Sequence, residues 1–198
     1  MELTKVSDKK RFQQFVSMDG ELNEQTTNSS VLEEGTILAR DLIDYKLGRG
    51  MPPANPTAKT LRKLSDDIEN RNPLLLEQLC TKLNFSTETG YSSFSEIAKE
   101  VFSDGIINWG RIAVLFAFGA KLGKHCKENN MTEQLDNIPE WIGRFVMGHS
   151  DWIERQGGWS NFNTRFQELG ENNSSWWKSA LITTAFGIGS LAVLTICK

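Results

Sequence analysis

An almost uninterrupted apolar run begins immediately after Arg111 and extends to Leu122, within a longer segment that ends near Lys127. The first twelve positions of this segment, RIAVLFAFGAKL, contain only two charged residues. A helix formed here would be hydrophobic on every face, which is typical either of a membrane span or of the centre of a helical bundle. Because the apolar run is shorter than the roughly 20 residues that cross a bilayer unaided, the sequence predicts the central helix of a bundle.

Amphipathic helical periodicity dominates the rest of the chain, and alternating strand patterns are scarce. Val31–Leu47 and Thr57–Arg71 repeat apolar residues at helical spacing, and the glycine- and proline-rich Gly48–Pro56 separates them as a loop. Further helices are predicted at Leu74–Leu83, Ser93–Phe102, Met131–His149 and, as one or two pieces, Trp152–Leu169. The sequence therefore predicts an all-α fold of seven or eight helices around one apolar central helix.

Two short motifs place tryptophan and glycine beside charged residues at the edges of apolar segments: Asp104–Arg111 (DGIINWGR) and Trp152–Trp159 (WIERQGGW). Asn108 is suited to cap a helix, because its side-chain oxygen can accept from the first-turn N–H groups. Gly110 leaves the backbone bare for a close approach, and Arg111 offers a planar fork of donors for a carboxylate. The pattern indicates a groove floor that receives a partner's acidic residue. The alternative is a buried aromatic residue, a turn and a surface charge at an ordinary helix start.

No catalytic or metal-binding motif is recognisable in the sequence. The sequence has no phosphate-loop pattern, no Cys-x-x-Cys and no His-Glu-x-x-His, and its two histidines, His125 and His149, are isolated. The net charge of −3 gives no reason to expect nucleic acid as a partner. Three cysteines without paired spacing favour a reducing compartment. We therefore predict a binding protein, not an enzyme, with no cofactor and no metal.

The C-terminal segment has the composition of a membrane anchor. Residues 180–197, ALITTAFGIGSLAVLTIC, carry no charge, with Trp176, Trp177 and Lys178 before them and Lys198 after. Eighteen helical residues span about 27 Å, close to the roughly 30 Å hydrocarbon core, and the flanking residue types suit the membrane interfaces. The sequence predicts a helical domain at 1–175 and a tail anchor at 176–198 that leaves the domain facing the cytosol. A buried core helix is the alternative.

Four segments resemble the homology motifs of the Bcl-2 family of apoptosis regulators. Val101–Gly119 (VFSDGIINWGRIAVLFAFG) resembles the first motif, and Trp152–Trp159 resembles the second. Leu61–Asp66 (LRKLSD) resembles the third motif, BH3, with Ser65 in place of the usual glycine. Leu38–Gly48 (LARDLIDYKLG) resembles the fourth. The segments occur in the family's order (fourth, third, first, second) and are followed by the predicted tail anchor.

The resemblance implies a bundle of about eight helices that holds an amphipathic partner helix in a surface groove. It implies that Asn108, Gly110 and Arg111 contact this helix, with Arg111 pairing with the partner's aspartate. Apolar pockets would come from Ile68, Val101, Val114 and Phe118, for each of which plain core packing is the alternative. The chain's own BH3-like motif consists of Leu61, Leu64, Ser65, Asp66 and Ile68. Asp66 would be a ligand carboxylate if this helix swings out, or otherwise a local cap and surface charge.

The resemblance leaves the functional class open. A pro-survival member would bind the BH3 helices of Bax- or Bak-like effectors and BH3-only proteins and restrain permeabilisation of the mitochondrial outer membrane. An effector of the Bax or Bak type would oligomerise and permeabilise that membrane. A tail-anchored helical adaptor without apoptotic function is a third possibility. Asp44–Leu47 (DYKL) and the stretch Leu61–His125 resemble pro-survival members more closely, so that class is favoured. The anchor predicts the mitochondrial outer membrane or the endoplasmic reticulum.

Overall fold

The computed structural model describes residues 26–71, 76–77, 80, 85–86 and 88–168, with the backbone alone at 167 and 168. Within these residues lie seven α-helices and no strand, which confirms the all-α prediction. The helices are α1 (26–46), α2 (Pro56–Arg71), α3 (Gly90–Val101), α4 (Trp109–Glu128), α5 (Thr132–Met147), α6 (Ser150–Arg155) and α7 (Gly158–Glu168). The predicted anchor at 176–198 and most of the predicted helix Leu74–Leu83 lie outside the described residues.

Helix α4 is the predicted central helix. Every residue from Arg111 to Ala120 is buried, and the helix packs against α2, α3 and α5. Its start is fixed locally: the Asn108 side chain accepts a hydrogen bond from the backbone N–H of Arg111 at 2.8 Å, as the sequence predicts for a helix cap. The part of the chain that the structure describes contains no helix both long and apolar enough to cross a membrane.

Two details bear on the sequence-based expectations: the first agrees with the expected one or two pieces of the last helical region, and the second differs from the helical periodicity of α1. The last predicted helical region divides into α6 and α7, because Gly157 and Gly158 adopt φ values of +86° and +67°, which interrupt the right-handed helix. Tyr45, which the periodicity of α1 places with the apolar face, is 37% exposed. Its ring lies against the Arg62 guanidinium, with 4.8 Å between the guanidinium carbon and the ring centroid, so Tyr45 covers the contact between α1 and α2.

Helices α1 and α5 approach closely through glycine. A Cβ added at Gly143 of α5 would lie 2.2 Å from the Thr36 hydroxyl oxygen and 2.9 Å from the Leu32 carbonyl oxygen of α1. From the other side, a Cβ at Gly35 would lie 2.6 Å from a methyl carbon of Val146. The Thr36 hydroxyl donates to the Leu32 carbonyl at 2.8 Å, so both oxygens are held in place. The contact requires glycine at 143.

We expect Gly143→Ala to lower the free energy of unfolding by about 1–3 kcal/mol, the usual cost of overpacking a core. The Leu32 carbonyl cannot move aside without displacing α1, and this clash exceeds the gain in helix propensity. Denaturant unfolding measures the effect. Gly148→Ala is the control with the milder contact: Gly148 has an ordinary helical φ of −61°, and its added Cβ would approach the Phe145 carbonyl oxygen to 3.3 Å, compared with 2.2 Å at Gly143, so its cost should be smaller. Thr36→Ala combined with Gly143→Ala should recover part of the loss. Unchanged stability of Gly143→Ala would contradict the close packing of α1 on α5.

Candidate functional site

Arg111, in the first turn of α4, has no exposed surface. Its Nη2 donates to Oδ2 of Asp104 at 2.6 Å, and its Nη1 donates to Oδ1 of the same carboxylate. Nη1 also donates to the carbonyl oxygen of Ile106 at 2.6 Å. The fork of donors therefore binds a carboxylate in the predicted way, but the carboxylate belongs to the chain itself. Sequence reasoning placed Asp104 in the motif without recognising it as the partner of Arg111.

The Asp104 carboxylate closes the site from the solvent side. Its side chain is 31% exposed, and Oδ1 accepts a hydrogen bond from the Ile106 N–H at 3.0 Å. The hydrogen bonds from Arg111 and then from Ile106 lower the pKa of Asp104 to about 2. Because the pKa in the folded state is depressed, the stabilisation from this pair is fully present above the ordinary pKa near 3.8 and is lost as the pH falls through about 2. The pair is intact at neutral pH.

The other predicted contact residues lie near Arg111 with different accessibility. Asn108 and Gly110 are half-buried on the same turn, and the Asn108 side-chain oxygen is used as the helix cap. Each of the four predicted pocket residues is 1% exposed within one continuous core: Ile68, Val101, Val114 and Phe118. Core packing therefore describes these four in this conformation. Their role as ligand pockets remains a prediction that requires the groove to open.

The BH3-like motif of α2 is divided between two environments. Its apolar members and Ser65 are buried against the core: Leu61, Leu64, Ser65 and Ile68. Asp66 lies on the side of α2 that contacts α1, where it accepts hydrogen bonds from the Tyr45 hydroxyl at 2.7 Å and from Lys46 Nζ at 2.6 Å. Lys46 also binds Glu69 at 2.9 Å. In this conformation, Asp66 is therefore a charge bound locally at the contact with α1 and does not act as a ligand carboxylate.

A buried ion pair joins α1 and α2 next to this contact. Arg62 donates from Nε and Nη2 to the two carboxylate oxygens of Asp41, each at 2.8 Å, and from Nη1 to the Met51 carbonyl at 2.9 Å. Both side chains belong to residues that are only 9% exposed. This pair was not predicted from the sequence. The available signal was the spacing of Asp41, three residues after Leu38 and one before Leu42, which places a charge on the core-facing side of α1.

The two tryptophan motifs meet in one aromatic cluster. The Trp109 ring centroid lies 4.9 Å from that of Trp152, 5.7 Å from that of Trp159 and 5.4 Å from that of Phe162. These separations are typical of favourable aromatic packing. Trp152 and Trp159 of the second motif therefore pack against Trp109 at the start of α4, two residues before Arg111, and support the position of this helix start.

A separate cavity of about 220 Å³ lies between the end of α4 and the segment that contains Cys80. Burial raises the pKa of the Cys80 thiol to about 11 and that of the Cys126 thiol to about 12, so both are protonated at neutral pH. Neither cysteine has the character of a nucleophile. Within the described residues, no group of histidine, cysteine and carboxylate side chains is arranged to hold a metal ion.

Ser65 provides a test of how α2 packs. Its hydroxyl is buried and has no hydrogen-bond partner. We expect Ser65→Ala to raise the free energy of unfolding by about 1 kcal/mol, because the unsatisfied hydroxyl is removed without changing the packing. Ser150→Ala is the matched control, since that buried hydroxyl donates to the side-chain oxygen of Asn28, and its loss should destabilise the fold. A destabilised Ser65→Ala variant would mean that Ser65 does have a partner. Thermal and urea unfolding measure both variants.

Comparison with known proteins identifies the family. The family model for "Apoptosis regulator proteins, Bcl-2 family" matches residues 61–159, which begin within α2, end at the start of α7 and contain the Arg111 site and both tryptophan motifs. The chain is 30% identical over 169 residues to apoptosis regulator R1 of Xenopus laevis, a match that covers 78% of this chain and 74% of that protein. This protein therefore belongs to the Bcl-2 family of apoptosis regulators.

Other relatives match over shorter segments. Human Bcl-2-like protein 1 is 31% identical over 128 residues, and the chicken protein of that name is 32% identical over 123 residues. These matches cover 64% and 62% of this chain but only 53% and 52% of the two relatives, so the chain spans about half the length of Bcl-2-like protein 1.

Solved structures share the fold. The zebrafish pro-survival protein NRZ, in its complex with the Bad BH3, aligns with a TM-score of 0.66 and 22% identity over 72% of this chain and 99% of that one. Trichoplax adhaerens trBcl-2L2 bound to the trBak BH3 aligns with a TM-score of 0.63 and 24% identity over 68% of this chain and 98% of that one. Chicken BOK aligns with a TM-score of 0.61 and 23% identity over 69% of this chain and 97% of that one. At these identities, the structures establish the shared architecture.

Proposed function

We propose that this protein is a pro-survival regulator that binds the BH3 helices of pro-apoptotic relatives in a groove centred on Arg111 and restrains permeabilisation of the mitochondrial outer membrane. The observation that carries this proposal is the buried guanidinium of Arg111, which already binds a carboxylate through two nitrogens. The complexes of zebrafish NRZ with the Bad BH3 and of trBcl-2L2 with the trBak BH3 support the same kind of partner for this fold.

The partner would be an amphipathic helix with one acidic residue beside its apolar face. Its aspartate would bind Arg111, and its backbone would pass close to Gly110. Its apolar side chains would enter pockets lined by Ile68, Val101, Val114 and Phe118, once the groove opens. Effectors of the Bax or Bak type and BH3-only proteins are the partners that the resemblance implies.

The contact between α1 and α2 favours the pro-survival class. Tyr45 and Lys46, in the middle of the DYKL segment, both bind Asp66 of the BH3-like motif. The buried pair of Asp41 with Arg62 adds a second connection between the same helices. An effector that exposes its own BH3 helix would have to break all of these contacts. A protein that retains this helix while it binds a partner keeps them.

Thermal melts across a titration with the Bad BH3 peptide test the proposed class. A ligand that binds only the folded state stabilises it by about 2.7 kcal/mol at a concentration 100 times its Kd. For a pro-survival protein, the melting temperature should rise steadily with peptide concentration. A fall in melting temperature, together with exposure of the α4 residues, would instead identify a Bax- or Bak-type effector.

We further propose that residues 176–198 anchor the protein in the mitochondrial outer membrane or in the endoplasmic reticulum. The uncharged run at 180–197 between Trp176, Trp177 and Lys198 supports this location. A truncation that ends at Ser175 should stay in the supernatant when incubated with liposomes and should bind the Bad BH3 peptide as tightly as the full chain. Unfolding of the truncated protein, or failure of the full chain to insert, would instead make this segment part of the core.

A further inference from the structure

We propose that Asp104 occupies the ligand-carboxylate site of the free protein, so that a BH3 helix binds by exchanging its own aspartate for Asp104 on Arg111. Asp104 would thereby set how strongly the groove discriminates between partner helices that carry this aspartate and helices that lack it. This inference rests on the proposed function of the groove.

The accessibility of the two partners supports an exchange. The Arg111 side chain has no exposed surface, whereas the Asp104 side chain is 31% exposed. Solvent therefore meets the carboxylate, and the guanidinium lies behind it. Asp104 uses both terminal nitrogens of the guanidinium, and the Ile106 carbonyl shares one of them. An incoming carboxylate cannot form the same two-nitrogen contact while Asp104 remains in place.

The loop that carries Asp104 has room to move outward. It connects α3 to α4, and it turns at Gly105, whose φ is +73°. A Cβ added at Gly105 would meet no atom within 4 Å, and Ile106 is 43% exposed. Outward movement of this turn would carry Asp104 into solvent, where a carboxylate is well hydrated, and would break its hydrogen bonds with Arg111 and with the Ile106 N–H.

The exchange has a consequence for specificity. A partner with an aspartate replaces one carboxylate by another, so the guanidinium stays paired throughout. A partner without the aspartate can leave Asp104 in place on Arg111, so its binding does not require the exchange. Specificity is a difference between affinities, and the internal pair reduces that difference, because only the partner with an aspartate has to displace Asp104. It also lowers the apparent affinity for every partner that must displace it.

The test compares the unsubstituted protein with Asp104→Asn, using the Bad BH3 peptide and a version of this peptide in which the aspartate proposed to bind Arg111 is replaced by asparagine. The asparagine side chain keeps one acceptor oxygen for Arg111 but loses the charge. We expect Asp104→Asn to bind the acidic peptide about tenfold more tightly than the unsubstituted protein does, within the usual range of coupling between competing groups. The affinity for the neutral peptide should change much less. Glu140→Gln removes one negative charge from an exposed ion pair and should alter neither affinity.

The outcomes separate this inference from the proposed function. If the unsubstituted protein binds neither peptide, the proposed function fails and the exchange fails with it. If it binds the acidic peptide and Asp104→Asn binds that peptide equally or more weakly, the exchange alone is overturned. If Asp104→Asn does not fold unaided, refolding with each peptide reports the same coupling. Recovery with the acidic peptide only would support the exchange, whereas equal recovery or none would refute it.

Discussion

Arg111→Ala should weaken binding of the Bad BH3 peptide by about 2–5 kcal/mol, the range found when one partner of a buried, hydrogen-bonded charge pair is removed. The expected loss is large because Arg111 has no exposed surface and binds through a two-nitrogen fork. Without it, the ligand carboxylate would be desolvated with no cation to receive it. Calorimetry on the folded variant measures the change.

One further variant separates charge from geometry at this position, and a second variant at an exposed arginine serves as the control. Arg111→Lys keeps the positive charge but loses the planar fork, and it should bind with intermediate affinity. Arg144→Ala removes an arginine whose ion pair with Glu140 is more than half exposed on both sides, and it should leave the affinity unchanged. Wild-type affinity in a correctly folded Arg111→Ala variant would remove Arg111 from the binding site.

The second large effect concerns the contact between α1 and α2. Asp41→Ala should lower the free energy of unfolding by about 3–5 kcal/mol, because it leaves the buried guanidinium of Arg62 without its carboxylate. Urea unfolding gives this value directly. The cost arises from the unpaired charge, so replacing both residues at once should be far milder. Asp41→Leu combined with Arg62→Met should return most of the lost stability.

Glu140→Ala is the control, because it removes an exposed ion pair with Arg144. Such a pair typically contributes about 0–1 kcal/mol to the free energy of unfolding. If Asp41→Ala costs no more than Glu140→Ala, the ion pair between α1 and α2 is solvated and does not hold the BH3-like helix. The support that this contact gives to the pro-survival class would then be withdrawn.

The sequence predicted those parts of the fold that depend on local pattern. The apolar run after Arg111 requires burial on all sides, and this alone identifies α4 as the central helix. The capping of α4 by Asn108 is equally local, because the side chain and the N–H that it accepts from are three residues apart. The order of the four motifs then identified the family, which the match over residues 61–159 confirms.

The contacts that determine the site were beyond such reasoning, because they depend on where turns and helices are placed in space. The pairing of Asp104 with Arg111 crosses seven residues and depends on the positive φ of Gly105. The pairing of Asp41 with Arg62 requires the register between α1 and α2, which is set by packing across the whole interface. Helical periodicity placed Tyr45 on the apolar face of α1, because periodicity indicates only the direction of a side chain around its own helix. It does not reveal the polar residues of α2, Asp66 and Arg62, that Tyr45 contacts.

Liposome dye release driven by Bak tests the pro-survival function most directly. The full-length protein is added to liposomes of mitochondrial outer-membrane composition, with and without Bak and with increasing amounts of the Bad BH3 peptide. A pro-survival protein should release no dye alone and should suppress Bak-driven release. The peptide should relieve this suppression, and Arg111→Ala should lack it. Dye release by this protein itself, increased by the peptide in the absence of Bak, would contradict the proposed function and identify an effector.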